Sequence, residues 1–234
     1  KKVMIIEGGP AGMEAARVAA LRGHDVCLYE RMRRLGGSMP VAAVVKGLGK
    51  EDLPALIKYY DKQMRKLGVK INLGTEVTPD LVKEINPDVL LIAAGARHNI
   101  PDIPGIKGRN VITGERLHRM LRFLLKFADP VFLTRVSKIF LPFLVRRNVV
   151  IIGGRLHGCQ AAEFLVKCGR NVTMVDTCPY DRIGEGLLDI FMKPWLMQWL
   201  DEHQVRIIPE VRYEEINKDG LIITTKDGVR QTIK

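Results

Sequence analysis

The sequence predicts an α/β fold in which one strand–turn–helix–strand unit occurs twice. Aligned with itself at an offset of 146 residues, the 234-residue chain matches VMIIEGGPAG and GHDVCLYE with VVIIGGRLHG and GRNVTMVD. An apolar, β-branched run precedes each glycine cluster, as expected of strands buried on both faces of a parallel sheet. An acid follows each cluster at the same distance, because 18 residues separate Gly12 from Glu30 and Gly158 from Asp176. The repeat therefore predicts two domains of the same kind.

Each copy is read as a strand, a glycine turn, a helix and a second strand. The first strands and the helices are predicted at residues 3–6, 149–152, 13–22 and 159–167. Gly23 and Gly169 follow the two helices, in the position where glycine commonly ends a helix. Because crossovers between parallel strands are right-handed in nearly all proteins, we expect two right-handed βαβ units.

Further elements follow each repeat. After the first copy, an amphipathic helix ended by Gly68, a strand, a short helix and a buried strand complete the first sheet. These elements lie within residues 49–68, 69–77, 79–85 and 87–96. After the second copy, short strands within 205–216, 219–228 and 229–233 are joined by Asp-Gly turns. We predict that these last strands form a meander over the second domain.

The glycine clusters have the residue types that a dinucleotide requires. Glycine permits a tight turn, close approach of the backbone to a diphosphate and close packing of the helix on the strand, while the helix N-terminus supplies N–H groups. Glu30 and Asp176 are placed to accept hydrogen bonds from ribose hydroxyls. A single cluster is weak evidence, because glycine-rich turns also serve packing alone. Two clusters with matching acids indicate two Rossmann-like dinucleotide-binding domains.

Composition and cysteine usage predict a globular chain in a reducing compartment. Hydrophobic residues make up 47% and charged residues 27% of the sequence, which is ordinary for a packed core. No apolar run reaches the roughly 18 residues of a membrane-spanning helix. The four cysteines include no CxxC pair, and the five histidines show no metal-binding spacing. We therefore expect reduced thiols, no metal and a cytoplasmic location, in a chain that begins in a strand and is a piece of a longer protein.

Residues 115–147 form a basic and apolar connection between the repeats. They hold eight Lys and Arg residues against Glu115 and Asp129, and so supply six of the net +11 charges. We interpret 1–112 and 148–234 as the two domains and 113–147 as a helical connection. Its apolar face is expected to pack on its own protein or on a second copy of the chain. Contact with an anionic membrane is a less favoured alternative, and we expect no nucleic acid partner.

Several motifs resemble the C-terminal half of bacterial flavin reductases related to 2,4-dienoyl-CoA reductase, 2-enoate reductase and trimethylamine dehydrogenase. The motifs are VMII-x-GGPAGMEAA, RLGG, LGTEVT, DVLLIAAGA with IPGI, VVIIGG and VTMVD, and the resemblance covers essentially the whole chain. It implies an FAD-binding domain with an inserted NAD(P)H-binding domain. It also implies an N-terminal barrel that carries FMN and an iron–sulfur cluster, and a closing segment of the FAD domain after Lys234. The first domain of this chain is accordingly expected to be incomplete.

The resemblance implies two sets of cofactor-binding residues. Those for FAD are Gly8, Gly9, Pro10, Ala11 and Gly12 at the diphosphate, Glu30 at the ribose, Gly36, Gly37 and Ser38 in a second phosphate loop, Val77 at the adenine, and Ala94 with Gly95 at the diphosphate. Those for NAD(P)H are Gly153, Gly154, Arg155, Leu156, His157, Gly158, Gln160 and Asp176. Because an acid such as Asp176 hydrogen-bonds a free ribose 2′-hydroxyl and repels a 2′-phosphate, we expect NADH rather than NADPH.

The chemistry that the resemblance implies is hydride transfer from the nicotinamide to the flavin. The cofactors supply that chemistry while the protein orients them, so we name no catalytic side chain and interpret His157 as a loop residue. The predicted function is the electron-transfer module of a multidomain flavin-dependent reductase whose barrel reduces α,β-unsaturated substrates of the enoate or enoyl-CoA type. The alternative is a non-redox module that binds ADP, or a structural domain with degenerate loops.

Two residues depart from the glycine pattern. Glu7 stands at the first position of the first cluster, and Arg155 stands at the middle position of the second. A carboxylate about 4 Å from a phosphate oxygen costs up to about 4 kcal/mol at an effective dielectric constant of about 20. This cost, together with the expected lack of the closing segment, predicts weak binding of FAD by the chain as given. The guanidinium of Arg155, in contrast, is able to pair with phosphate.

Overall fold

A computed structural model describes residues 1–46, 52–96, 99–129, 132–133, 135, 145–186 and 192–234. The chain divides into two compact units, Lys1–His98 and Asn99–Lys234. Each unit carries one glycine turn at the carboxyl end of a strand in a parallel sheet. The predicted α/β class is thereby confirmed. The predicted domains 1–112, 113–147 and 148–234 stay predictions.

The first unit is a four-stranded parallel sheet with helices. Its elements are β1 Lys2–Ile6, α1 Pro10–Leu21, β2 Asp25–Glu30, α2 Met39–Lys46, α3 Leu53–Lys66, β3 Lys70–Leu73, α4 Pro79–Ile85 and β4 Val89–Ile92. The strands lie in the order β3-β2-β1-β4. Strand β2, which follows β1 in the sequence, lies on one side of β1, and β4 lies on the other side. The turn after β1 therefore opens at a switch point of the sheet, where ligands bind in open parallel sheets.

The core of the first unit lies between the sheet and two helices. Val3 and Ile5 of β1 and Leu28 of β2 pack with Met13 of α1 and Met64 of α3, and all five side chains are buried. Residues two apart in a strand face the same side of the sheet, which explains why Val3 and Ile5 enter the same core. This packing fixes α1 against β1 and so fixes the glycine turn that joins them.

Strand β4 differs from the sequence-based expectation of a buried strand. Each of its four residues is more than a third exposed, up to 68% at Ile92. The reason is its position, because β4 is an edge strand that pairs with β1 and with no other described strand. The apolar sequence predicted the strand correctly but its burial wrongly.

The second unit combines a parallel sheet with an antiparallel one. Its elements are α5 Gly114–Leu124, β5 Asn148–Ile152, α6 Leu156–Lys167, β6 Asn171–Val175, a 3₁₀ helix at Tyr180–Arg182, α7 Met192–Glu202, β7 Arg206–Ile208, β8 Arg212–Asn217, β9 Gly220–Thr224 and β10 Arg230–Ile233. The parallel sheet has the order β5-β6-β7, and the antiparallel sheet has the order β8-β9-β10. Separate buried clusters support the two sheets.

The segment 205–216 forms two strands, which corrects the predicted meander. Strand β7 pairs in parallel with β6, and the chain then turns through Glu210, whose φ is +54°, before β8 begins. Pro209 lies between the two strands and lacks the N–H group that a continuing ladder needs. The described meander therefore consists of β8, β9 and β10, with the predicted Asp-Gly pairs at its two turns.

The offset of 146 residues is preserved in the strand pairing. Ile6 of β1 pairs with Tyr29 of β2, and Ile152 of β5 pairs with Val175 of β6. Each residue of the second pair lies 146 positions after its counterpart in the first pair. Because the two units share this register, each residue of the first glycine turn has a counterpart 146 positions later in the second.

The predicted connection 113–147 is described in part. Helix α5 begins after Thr113, whose hydroxyl accepts a hydrogen bond from the amide of Arg116 and so caps the helix. Its exposed face includes Phe123, which is 58% exposed. Residues 130, 131, 134 and 136–144 of the predicted connection lie outside the described residues. Within the described part of the chain, no helix is long and apolar enough to cross a membrane.

Candidate functional site

The two glycine turns have the same backbone shape. The residue after each first strand has a positive φ, which is +79° at Glu7 and +104° at Gly153. A Cβ atom at Gly12 would lie 1.9 Å from the carbonyl oxygen of Glu7, and one at Gly158 would lie 1.8 Å from that of Gly153. The helix therefore approaches the end of the strand closely enough to exclude every side chain at these two positions.

A later loop closes each turn through the same hydrogen bond. The carbonyl of Gly8 accepts from the amide of Gly36, the carbonyl of Gly154 accepts from the amide of Gly184, and both distances are 2.8 Å. Gly36 was predicted as a site residue and Gly184 was not, because two additional residues change the offset from 146 to 148. The shared sequences Arg-Leu-Gly at 34–36 and Arg-Ile-Gly at 182–184 were the available signal.

Glu30 holds the first turn against the strand that follows it. One oxygen of its carboxylate accepts a 2.8 Å hydrogen bond from the amide of Gly8, and the other accepts a 2.7 Å bond from the amide of Met32. The residue is 1% exposed. These bonds show a structural role for the acid that its spacing alone did not predict. Its contact with a ribose stays a prediction.

Asp176 holds the second turn in the same way. Its carboxylate accepts hydrogen bonds from the amides of Gly154 and Cys178, at 2.5 and 2.9 Å. Burial by itself would raise the pKa of Asp176, but the bonds from Gly154 and Cys178 outweigh that effect and hold the pKa below its usual value. The acid is therefore ionised at neutral pH and fixes the turn as a carboxylate.

The helices that follow the turns begin without a side-chain cap. Gly9 and Arg155 occupy the N-cap positions of α1 and α6, and neither helix has an acid in its first turn. Side chains of Asp52, Thr78 and Thr113 cap α3, α4 and α5 instead. An uncapped N-terminus beside a glycine turn leaves N–H groups and positive potential for an anion. Both turns therefore fit the diphosphate of a dinucleotide.

The structure brings most of the predicted FAD residues to one edge of the first sheet. The loop 36–38 folds against the turn, so that a Cβ atom at Gly37 would lie 2.9 Å from the Cα atom of Gly9. Ala94 and Gly95 follow β4 at the edge where the turn follows β1. Val77 lies after β3, at the same carboxyl edge, and is half-buried. Whether these residues bind FAD stays a prediction.

The side chain of Glu7 is partly buried and forms an ion pair with Arg31. Its Oε1 atom lies 3.6 Å from the Nε atom of Arg31, and its side chain is 26% exposed. The cost calculated above for an unpaired carboxylate beside a phosphate is therefore too large, because the guanidinium offsets part of the charge. Arg31 follows Glu30 directly and was not predicted as a site residue. The expectation of weak FAD binding stays a prediction.

In the second turn, Arg155 belongs to an ionic cluster. Its Nη2 atom lies 3.1 Å from Oε2 of Glu185, which also lies 3.0 Å from Nη2 of Arg182. Leu156, the first residue of α6, donates its amide to the carbonyl of Glu185 at 3.1 Å. A pocket of about 450 Å³ adjoins the cluster, lined by Asp181, Arg182, Glu185, Lys193, Pro194 and Met197. Arg155 was predicted as a site residue, whereas Glu185 and Arg182 were not.

Three further side chains lie on α6. His157 is exposed and Gln160 is half-buried, one turn further along the helix. Cys159 is fully buried, and its thiol donates to the carbonyl of Gly154 at 3.1 Å. Burial raises the pKa of Cys159 to about 11, so the thiol is protonated at neutral pH and serves to pack the turn.

A fold with two such turns, each closed by an acid and each leading into an uncapped helix, is that of a protein that binds two dinucleotides. The family model described as pyridine nucleotide-disulphide oxidoreductase matches residues 1–234. The chain belongs to this family of oxidoreductases. Family membership indicates binding of FAD and NAD(P)H, for which the two turns are suited.

The relatives agree with the resemblance inferred from the motifs. Cinnamate reductase of Clostridium sporogenes is 36% identical over 176 residues, covering 75% of this chain and 23% of the relative. Bilirubin reductase of Mediterraneibacter gnavus is 29% identical over 228 residues, covering 97% and 32%. The structure of a 2-naphthoyl-CoA reductase in complex with 2-naphthoyl-CoA is 32% identical, has a TM-score of 0.76, and is matched over 100% of this chain and 32% of that one. The chain thus spans about one third or less of these proteins.

Proposed function

We propose that this chain is the electron-transfer module of a multidomain flavin-dependent reductase. In this proposal the first unit holds FAD, the second holds NAD(P)H, and electrons pass onward to a substrate site in another domain. The observation that carries it is the pair of matched glycine turns in one chain, because a single dinucleotide requires only one. Two dinucleotide sites in one chain suit a reaction in which one dinucleotide reduces another.

On the FAD side, the backbone is proposed to do most of the binding. The amides at the uncapped N-terminus of α1 would hold the diphosphate, and the loop that contains Gly37 packs too closely on Gly9 to admit a side chain at Gly37. Glu30 keeps the turn in place through Gly8. When bound, FAD supplies the ability to accept a hydride, and the residues of this chain orient it and exclude water.

On the NAD(P)H side, Asp176 favours NADH over NADPH. Its lowered pKa makes it a carboxylate at neutral pH, and it lies at the end of β6, where the ribose is expected. A ribose 2′-hydroxyl is able to donate to this carboxylate, whereas a 2′-phosphate is repelled by it. Each carboxylate oxygen has further lone pairs after accepting the backbone bonds, so the structural and binding roles are compatible.

The names of the relatives support an α,β-unsaturated substrate. Cinnamate reductase and 2-naphthoyl-CoA reductase are named for conjugated acids or thioesters, and the chain covers at most 32% of these two proteins. We therefore place the substrate site in a separate barrel domain of the same protein, with FMN and an iron–sulfur cluster as the further electron carriers. The exposed apolar face of α5 is proposed to pack against such a domain or a second copy of the chain.

One set of observations favours a second candidate, a non-redox module that binds ADP. Glu7 occupies a glycine position in the first turn. In the second turn, the ion pair of Arg155 with Glu185 occupies positions that are glycines in the first turn. A chain in which one turn has lost its dinucleotide would bind at most one adenine nucleotide and transfer no hydride. The pairing of Glu7 with Arg31 weakens this alternative, because it removes part of the charge conflict at the first turn.

Cofactor reconstitution distinguishes the two functions. The protein is kept at equilibrium with added FAD and titrated with NADH or NADPH in the absence of oxygen. We expect flavin absorbance to be lost on addition of NADH, at lower concentrations than with NADPH, and faster than in a mixture without the protein. Asp176→Ala should narrow the difference between the NADH and NADPH concentrations. Binding of ADP with no binding of FAD, even at saturating FAD, contradicts the redox proposal and supports the alternative.

A further inference from the structure

The second glycine turn contains an ion pair where the first turn contains two glycines. Arg155 lies 146 residues after Gly9, at the N-cap of α6. Gly184 closes the second turn as Gly36 closes the first, so the residue after it, Glu185, corresponds to Gly37. Contact between Gly9 and Gly37 backbones in the first unit is thus replaced by contact between the Arg155 and Glu185 side chains in the second.

The carboxylate of Glu185 has the chemical surroundings of a bound phosphate. It lies 3.1 Å from the guanidinium of Arg155 and 3.0 Å from that of Arg182. The backbone of Glu185 lies at the N-terminus of α6, which no side chain caps, because its carbonyl accepts from the amide of Leu156. Two guanidinium groups and an uncapped helix N-terminus are the groups that bind phosphate oxygens in proteins. The corresponding place in the first unit holds no side chain, because both positions are glycines.

We propose that Glu185 is an internal competitor for the dinucleotide diphosphate at the second turn. Without nucleotide, it holds Arg155 and Arg182 in ion pairs. When the nucleotide binds, the diphosphate takes Arg155 from Glu185. This inference rests on the proposed function, because it assumes that the second turn binds NAD(P)H.

The exposure of the ion pair makes this exchange feasible. The side chains of Arg155 and Glu185 are 61% and 45% exposed, and surface ion pairs of this kind are weak. A doubly charged diphosphate is a stronger partner for a guanidinium than one carboxylate. The pocket beside Glu185 also leaves space for its side chain to move away from the turn. The pair therefore lowers affinity for the nucleotide without blocking its binding.

A double-mutant cycle tests the coupling between the two residues. NADH and ADP-ribose are titrated into the protein and into the variants Glu185→Gln, Arg155→Met and the double variant, by calorimetry. We expect Glu185→Gln to tighten binding of both ligands up to about fivefold. In the Arg155→Met background, the same change should tighten binding less than about twofold, because Arg155, the guanidinium that the diphosphate takes, is then absent. Glu185→Asp keeps the charge and should bind like the unchanged protein.

Two controls separate this role from effects on folding or net charge. Glu163→Gln removes the same charge from the same unit, where Glu163 pairs with Lys167 on α6, and should leave nucleotide affinity unchanged. Adenosine has no diphosphate, so Glu185→Gln should not improve its binding. Thermal unfolding of every variant checks that the second unit remains folded.

The outcomes are distinct. Equal or weaker NADH binding by Glu185→Gln overturns the inference and leaves the proposed function standing. Equal tightening with and without Arg155 also overturns it, because direct repulsion of the diphosphate by Glu185 then suffices. If neither the unchanged protein nor Glu185→Gln binds NADH while both are folded, the proposed function fails and this inference fails with it.

Discussion

Arg31 lies with its Nε atom 3.6 Å from Oε1 of Glu7 and offsets a negative charge at a turn shaped for phosphate. Arg31→Met removes this guanidinium from beside the carboxylate and the proposed FAD diphosphate. Because both side chains are partly exposed, we expect a modest effect, an increase in the Kd for FAD of up to about fivefold. Fluorescence titration with FAD measures it. Arg33→Met, the same change two residues away, is the control, and equal effects of the two variants would contradict the assigned role of Arg31.

The backbone of Glu7 provides a separate prediction about stability. Its φ of +79° lies in the left-handed region, where a residue with a Cβ atom costs about 1–2 kcal/mol relative to glycine. Glu7→Gly should therefore be more stable to urea than Glu7→Ala by about 1–2 kcal/mol. Both variants lose the charge and the ion pair, so their difference isolates the backbone. Equal stability of the two variants would show that the turn relaxes to another conformation.

Much of this site was predictable because it depends on local sequence. The glycines, the acids and their equal spacing follow from βαβ units that occur twice in the same register. The partners Arg31 and Glu185 were missed for different reasons. Arg31 follows Glu30, which was already assigned to the ribose. The position of Arg31 in the sequence does not indicate that it pairs with the side chain of Glu7. Glu185 was hidden by the two additional residues in the second unit. Burial of β4 was predicted wrongly because apolar sequence does not distinguish an edge strand from a central one.

The third glycine of each turn is predicted to contribute to stability. A Cβ atom at Gly12 would lie 1.9 Å from the carbonyl oxygen of Glu7, so the helix and strand must separate to admit it. We expect Gly12→Ala to reduce stability by about 1–3 kcal/mol, as overpacking does in other proteins. Gly9→Ala is the control, because a Cβ atom there would lie 4.0 Å from the nearest atom outside its chain neighbours. Urea unfolding compares the two, and equal losses would contradict the steric argument.

The exposed aromatic residues of α5 predict a difference between the chain alone and the proposed multidomain protein. Phe123 is 58% exposed and Phe127, just beyond the helix, is 78% exposed. Replacing both with Ser should change the melting temperature of the chain little, but should lower that of a protein in which another domain covers this face. Differential scanning fluorimetry of both forms measures the effect. An equal, small change in both forms, together with loss of flotation on anionic vesicles, would favour the membrane alternative.

The carboxylate of Asp176 makes stability of the second unit depend on pH. Hydrogen bonds from the amides of Gly154 and Cys178 overcome the effect of burial and lower the pKa of Asp176 below 3.8. A depressed pKa in the folded state means that the stabilisation is present above the unfolded pKa and is lost as pH falls through the folded pKa. An Asn side chain at position 176 would offer only one acceptor oxygen to these two backbone amides. Its NH2 group, a donor, would face the other backbone N–H.

We therefore expect Asp176→Asn to cost about 1–3 kcal/mol at neutral pH, because one backbone amide loses its acceptor. The difference from the unchanged protein should shrink below pH 3.8, the usual value from which the pKa of Asp176 is lowered. Urea unfolding across this pH range, followed by the fluorescence of Trp199, which packs against the core of the second unit, measures both effects. Asp201→Asn, an exposed acid of α7, serves as the control. A cost that stays constant from neutral pH to well below 3.8 would show that the charge of Asp176 does not hold the turn.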